Sequence, residues 1–252
     1  MHLPKQLVYP DADTVVIFIH GFMGTPDHFD YLMDAVYQQG CSVVSLLLPG
    51  HGGSGFDFAR STLAQWEEHL AFAVAPFASY DNIYLVGHSI GGLLAYNLSL
   101  VLPVCGVVAI STPLKVYFFN PIASFKKLKI LFSEKDGALR RGYRRSNSIE
   151  APFLGKPRFR TLLFWIRVFF QPLRLMRKTR KNLPAVTAPS LTIHSKYDET
   201  VSFRSARLFA RLLTGSKHEA ILLLDSYHAY YPAHEQAVIE RAVVSFVSKS
   251  YA

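Results

Sequence analysis

The hydrophobic positions of this chain fall into short unbroken runs separated by longer periodic stretches. TVVIFIH (14–20), CSVVSLLLP (41–49), NIYLVG (82–87), CGVVAIS (105–111), PSLTIHS (189–195) and EAILLLD (219–225) are the main runs. Apolar runs of this length without alternation predict strands buried on both faces, as in a parallel sheet. Between the first two, Phe29, Leu32, Met33 and Val36 recur at helical spacing until Gly40. Leu63, Trp66, Leu70 and Val74 form one stripe of a helix capped by Ser61 or Thr62 and reaching about Ser79. Further helices are expected from about Ile90 to Val101, over roughly 203–214, and from Ala233 to Ser248. Strands alternating with helices at crossover lengths predict one mostly parallel sheet covered on both sides.

The interval from Thr112 to Val186 breaks that rhythm. It has few strand-like runs and is both aromatic and basic: YFFNPI (117–122), RRGYRR (140–145) and TLLFWIRVFFQPLRLMRKTRK (161–181). In the last piece Arg167, Gln171, Arg174, Lys178 and Lys181 are spaced as a polar helical stripe, with Leu163, Trp165, Ile166, Phe169 and Phe170 on the remaining surface. Pro172 has no N–H to give, so the helix should kink or split there. The expected organisation is an α/β body over 1–111 and 187–252, with a helical cap inserted at 112–186.

Composition sharpens this division. At 252 residues and 50% hydrophobic, the chain can bury a sizeable core, and 18% charged residues excludes general disorder. The net charge of +9 is local: residues 115–181 carry 18 of the 27 Lys and Arg against Glu134, Asp136 and Glu150. The remainder is mildly acidic, and no nucleic-acid reading module surrounds RRGYRR, so no nucleic-acid partner is expected. Cys41 and Cys105 sit in or beside apolar runs and read as buried free thiols, which suits a reducing compartment. MHLPKQLVYPDAD lacks the basic-then-apolar layout of a secretory leader, and no apolar segment reaches about 18 residues. The expectation is a cytoplasmic protein without a spanning helix, with peripheral membrane contact through the basic cap.

GHSIG (87–91) supplies the candidate chemistry, because it sits where a predicted strand meets a predicted helix. A nucleophile raised above a sheet edge needs a tight strand-turn-helix, and Gly87 and Gly91 flank Ser89 where side chains would collide. A serine nucleophile needs a base and an orienting acid. His228 lies in the loop after the last apolar run and is favoured over His234, which falls at or inside the closing helix. Asp198, just beyond SLTIHS, is the best acid, with adjacent Glu199 and the more distant Asp225 as alternatives. Ser89, Asp198 and His228 would then stand at the carboxyl ends of parallel strands, where open α/β sheets hold ligands. His218 should lie at the opposite end of the sheet. No cluster of Cys, His and acids at ligand spacing stands out, and LLPGHGGSG fits neither a phosphate loop nor a dinucleotide fingerprint, so neither metal nor cofactor is expected.

HGF (20–22), LLPGHGGSG (47–55), GHSIGG (87–92), HSKYDETV (194–201) and SYH (226–228) together resemble the α/β-hydrolase superfamily. The similarity is nearer to bacterial serine carboxylesterases and monoacylglycerol lipases, and it covers about 1–111 and 187–252. It implies an α/β-hydrolase fold, catalysis by Ser89, Asp198 and His228 through an acyl-enzyme, and hydrolysis of a small, lipid-like acyl ester. It also implies an oxyanion hole from the backbone N–H groups of Phe22 and Ile90, with Gly21 allowing the bend and His20 bracing the loop. His51 and His88 read as supports of their turns. Thioester, amide or lactone cleavage by the same residues, and a non-catalytic binding role, are the alternatives.

Overall fold

The computed structural model describes residues 2–117, 142, 145, 146 and 167–249. Seven strands form one sheet: β1 (Lys5–Leu7), β2 (Thr14–Ile19), β3 (Ser42–Leu46), β4 (Asn82–His88), β5 (Gly106–Ile110), β6 (Ser190–Ser195) and β7 (His218–Leu223). Their order is β1-β3-β2-β4-β5-β6-β7, and every pairing is parallel except β1 with β3. The short edge strand β1 was not expected. Only three residues long and largely exposed, it carries no apolar run to betray it.

β2 shows why the central strands read as unbroken apolar runs. Val15, Ile17 and Ile19 face one core, and Val16 and Phe18 the other. The second core is closed by α1 (Asp30–Tyr37) through Leu32, Met33 and Val36, and by the C-terminal helix through Ile239, Val243 and Phe246. The first is closed by Phe58 of α2 (Gly55–Arg60), by Trp66, Leu70 and Val74 of α3 (Leu63–Val74), and by α4 (Ile90–Leu98). α5 (Gln171–Asn182) and α6 (Arg204–Leu212) complete that side, and α7 (Ala233–Val247) is the C-terminal helix.

Several boundaries differ from expectation for identifiable reasons. The glycine-rich stretch after Pro49 contains α2, because Ser54 and Asp57 form a capping box that starts a helix despite the glycines. α3 stops at Val74, ahead of a 3₁₀ turn at Ala75–Phe77 that holds Pro76. α4 ends at Leu98, and β7 begins one residue early at His218.

α5 follows a turn at Phe170, with Pro172 in its first turn, so the helical stretch divides beside the proline. Its polar stripe is not uniformly solvated. Arg167, Arg174, Lys178 and Lys181 are exposed, but Gln171 is buried, accepting from the Leu63 N–H and donating to the Arg167 carbonyl, each at 3.4 Å. Leu175 and Met176 join the same core as β4 and α4, so this part of the 112–186 interval packs on the α/β body. Leu163, Trp165, Ile166 and most of YFFNPI and RRGYRR lie outside the described residues.

Candidate active site

β2, β4, β6 and β7 run parallel, so the segments that follow them meet at one edge of the sheet. At the end of β4 the chain turns directly into α4, with Ser89 at φ 53°, ψ −121°. This backbone conformation is strained for a residue with a side chain and lifts the hydroxyl off the sheet. The turn is possible only without a side chain at Gly91, where a Cβ would sit 1.9 Å from the Ile19 carbonyl oxygen. A Cβ on Gly87 would lie 2.3 Å from the Gly91 carbonyl carbon.

The structure brings Ser89, His228 and Asp198 together. The Ser89 hydroxyl donates to His228 Nε2 at 3.0 Å, and His228 Nδ1–H donates to Asp198 Oδ2 at 2.8 Å. All three residues are buried. Asp198 is fixed by its own turn, since Oδ1 accepts the N–H groups of Thr200 at 2.8 Å and Val201 at 2.6 Å. The alternatives go elsewhere. His234 and Asp225 pair with each other at the surface, 3.1 Å apart. Glu199 reaches His228 at the backbone instead of the ring, accepting its N–H at 3.0 Å. His218 opens β7 at the far end of the sheet and meets Thr192 Oγ1 at 2.9 Å.

His228 is held from several sides at once. Its carbonyl accepts from His88 Nε2–H and from the Tyr231 hydroxyl, both at 2.9 Å. His88 therefore sits under the Ser89 turn as a neutral donor, sandwiched between His28 (ring centroids 4.1 Å) and His228 (4.9 Å). Burial and the neighbouring imidazoles push the His88 pKa well below the usual histidine range. Sequence reasoning missed His28, which no local motif marks.

Phe22 follows Gly21 in the segment after β2, and Ile90 directly follows Ser89. Ile90 is the first residue of α4, so its N–H has no partner within that helix. Phe22 lies in a turn closed by Gly24 N–H to the Gly21 carbonyl at 3.0 Å, and its ring packs on Phe58, Trp66 and Phe169. His20 is buried; its Nε2 accepts the Leu48 N–H at 3.0 Å, and Nδ1–H donates to the Gly21 carbonyl at 2.9 Å. It ties the Phe22 turn to the segment after β3. His51 donates to the Pro49 carbonyl at 3.1 Å.

The inserted interval also reaches the His228 loop. Gly142 lies against the Tyr227 ring, Arg145 donates to the Tyr230 hydroxyl at 2.9 Å, and Ser146 accepts the Ala229 N–H at 3.0 Å. Nothing in the sequence marks these contacts.

One cluster with metal-ligand spacing was not legible in the sequence: Asp225, His234 and Glu235 bring ligand atoms within 4.8 Å of one another. Glu235 is already engaged by the N–H groups of Leu224 and Asp225 and by the Ser226 hydroxyl, so it serves as a loop anchor. Among the described residues, no helix is long and apolar enough to cross a membrane.

The buried histidines carry a pH prediction. Burial lowers His51 and His194 to about 4 from an ordinary 6.5. Between those values the unfolded chain binds protons that the folded chain does not, so their contribution is full above pH 6.5 and falls away towards pH 4. Each removes up to about 1.4 kcal/mol of stability per pH unit across that window. Tm should drop steeply between pH 7 and pH 5, and His194→Leu should make the slope shallower.

A parallel sheet wrapped by helices, with a serine on a strained strand-to-helix turn at its carboxyl edge, defines the α/β-hydrolase class. The sequence model described as the alpha/beta hydrolase family matches residues 16–241, and the chain belongs to that family. The thermostable monoacylglycerol lipase of Bacillus sp. (strain H-257) is 26% identical over 239 residues, 93% of this chain and 90% of that one. The carboxylesterase of Bacillus subtilis (strain 168) is 18% identical over 252 residues, covering 98% and 97%. The crystal structure of Paleococcus ferrophilus monoacylglycerol lipase shares the fold at a TM-score of 0.73 and 19% identity, covering 99% of this chain and 100% of that one.

Proposed function

We propose that this protein is a serine hydrolase that cleaves carboxylic esters through an acyl-enzyme. The observation that carries the reading is the unbroken chain of hydrogen bonds from the strained Ser89 through His228 to Asp198. His228 takes the Ser89 proton as the oxygen attacks the acyl carbon, and Asp198 holds the ring tautomer and stabilises the imidazolium. The N–H groups of Phe22 and Ile90 receive the developing oxyanion. His228 then gives its proton to the leaving alcohol, and water releases the acid by the same route. Gly21, Gly87 and Gly91 serve the backbone turns, and no cofactor takes part.

The substrate is a medium-chain acyl ester such as a monoglyceride, a reading supported by the Bacillus monoacylglycerol lipase and by the aromatic residues at Phe22. The interval 112–186 acts as a cap over the site. Exposed Arg174, Arg177, Arg180 and Lys181 beside Phe169 and Phe170 suit contact with an anionic lipid surface.

A panel of esters, thioesters, lactones and amides across acyl lengths, with fluorophosphonate labelling, tests the reading. Ester turnover highest at medium length, with labelling lost in Ser89→Ala, is the expected result. A stronger preference for thioesters, lactones or amides would move the substrate class, and absent labelling of the unaltered protein would overturn the nucleophile. Asp198→Asn should lower kcat by roughly 10⁴-fold, because the neutral amide permits the wrong imidazole tautomer.

A further inference from the structure

Two adjacent acids bear on the same histidine in different ways. Asp198 binds the ring of His228, while Glu199 Oε2 accepts the backbone N–H of the same residue at 3.0 Å. Glu199 is buried, and its Oε1 has no hydrogen-bond partner among the described residues. A carboxylate in that place is unfavourable for folding alone, since it is desolvated and lies beside the Asp198 charge. The next backbone N–H, that of Ala229, goes to Ser146, whose hydroxyl also bears on the Glu199 carboxylate. Ser146 is buried and comes from the inserted interval.

We infer that Glu199 is the positioning residue of the base, holding the His228 backbone from behind while Asp198 holds its ring, and that Ser146 locks the same loop from the insert. Docking of the insert and the aim of Nε2 at Ser89 are thereby set together. The inference rests on the serine-hydrolase reading above.

The geometry gives the physical reason. Only Nε2 of His228 is left to do chemistry, because its N–H and Nδ1 are held by the neighbouring acids Glu199 and Asp198 and its carbonyl by His88 and Tyr231. Losing the N–H anchor leaves a buried donor without an acceptor and lets the loop shift. A displacement near 1 Å is enough to cost about a hundredfold in rate. The Glu199 charge also faces the imidazolium formed during attack. The other groups turned towards this pair are Asp198, Tyr227 and Tyr231 at Glu199, and His28, His88 and His194 at His228.

Steady-state kinetics of Glu199→Ala, Glu199→Gln, Ser146→Ala and the Glu199→Ala/Ser146→Ala double variant test this. E199A should lower kcat by about tenfold to a hundredfold with KM within about twofold. E199Q keeps an acceptor for the His228 N–H and should recover most of kcat. It removes the negative charge that favours the imidazolium, so the acid limb of its kcat/KM profile should move to lower pH. S146A should lower kcat several-fold, and the double variant should be no slower than E199A, since both act through one loop. An E199A kcat within twofold of the unaltered protein, or a loss confined to KM, would overturn the inference. So would E199Q as slow as E199A, or additive losses in the double variant. S146A changes one hydroxyl and decides the coupling even where E199A does not fold: an unaltered kcat sinks it. If the unaltered protein neither turns over acyl substrates nor takes up fluorophosphonate, the serine-hydrolase reading itself has failed.

Discussion

Ser89→Ala should lower ester turnover by about 10⁴-fold or more while Tm stays within a few degrees. Among the described residues the Ser89 Oγ makes one hydrogen bond, to His228 Nε2, so its loss removes little that holds the fold. What it removes is the atom proposed to attack. Residual hydrolysis would come from backbone donors and bound water alone, which is why the fall should approach that of deleting the whole relay. The backbone strain at φ 53° persists in alanine but not in glycine. Ser89→Gly should therefore be equally inactive yet more stable than Ser89→Ala by about 1 kcal/mol, relief of strain outweighing the entropy of glycine. Urea denaturation of the two variants beside an ester assay checks both halves. An active S89A protein would end the mechanistic reading.

Gly91→Ala should be the most damaging single methyl group in the body. Its Cβ would stand 1.9 Å from the Ile19 carbonyl oxygen and 2.7 Å from that of His20. Neither obstacle can swing aside, because Ile19 is locked in the ladders with β3 and β4, and His20 braces the Phe22 turn. Relief requires α4 to move off the sheet, opening the core at Ile90, Leu93 and Leu94. We expect a loss of more than about 4 kcal/mol, much of the stability of a typical domain, read as insoluble expression or a collapsed urea midpoint. Gly53→Ala is the contrast: its Cβ meets first the flexible Asp57 carboxylate, at 3.2 Å, and should shift stability by less than about 1 kcal/mol. A G91A protein with unaltered stability would mean that the turn is not built this tightly.

The central strands were legible because both faces of each are buried, which writes an unbroken apolar run into the sequence. α2 and β1 were not, since one hides among glycines and the other is an exposed edge. On α5 the polar spacing was readable, but not which polar residues are buried. Gln171 and Thr179 are, because Gln171 meets the start of α3 and Thr179 accepts from Asn97 of α4.

The residue types at the site were readable from their positions after predicted strands. The choice between neighbours was not. Asp198 and Glu199 are one residue apart, and only the turn through Thr200 and Val201 aims the shorter side chain at the ring and leaves the longer one to the backbone. His228 and His234 are separated by where α7 begins.

By itself, the sequence determined the class of fold, the order of strands β2 to β7 along the chain, and the tight turn that must carry Ser89. Those features are local, written in apolar runs and glycines. Only the tertiary structure decided which acid faces which part of His228, and that Ser146 of the insert joins the loop behind it. Contacts between residues 30 to 140 positions apart depend on how the loops close over the sheet, and no local pattern records that.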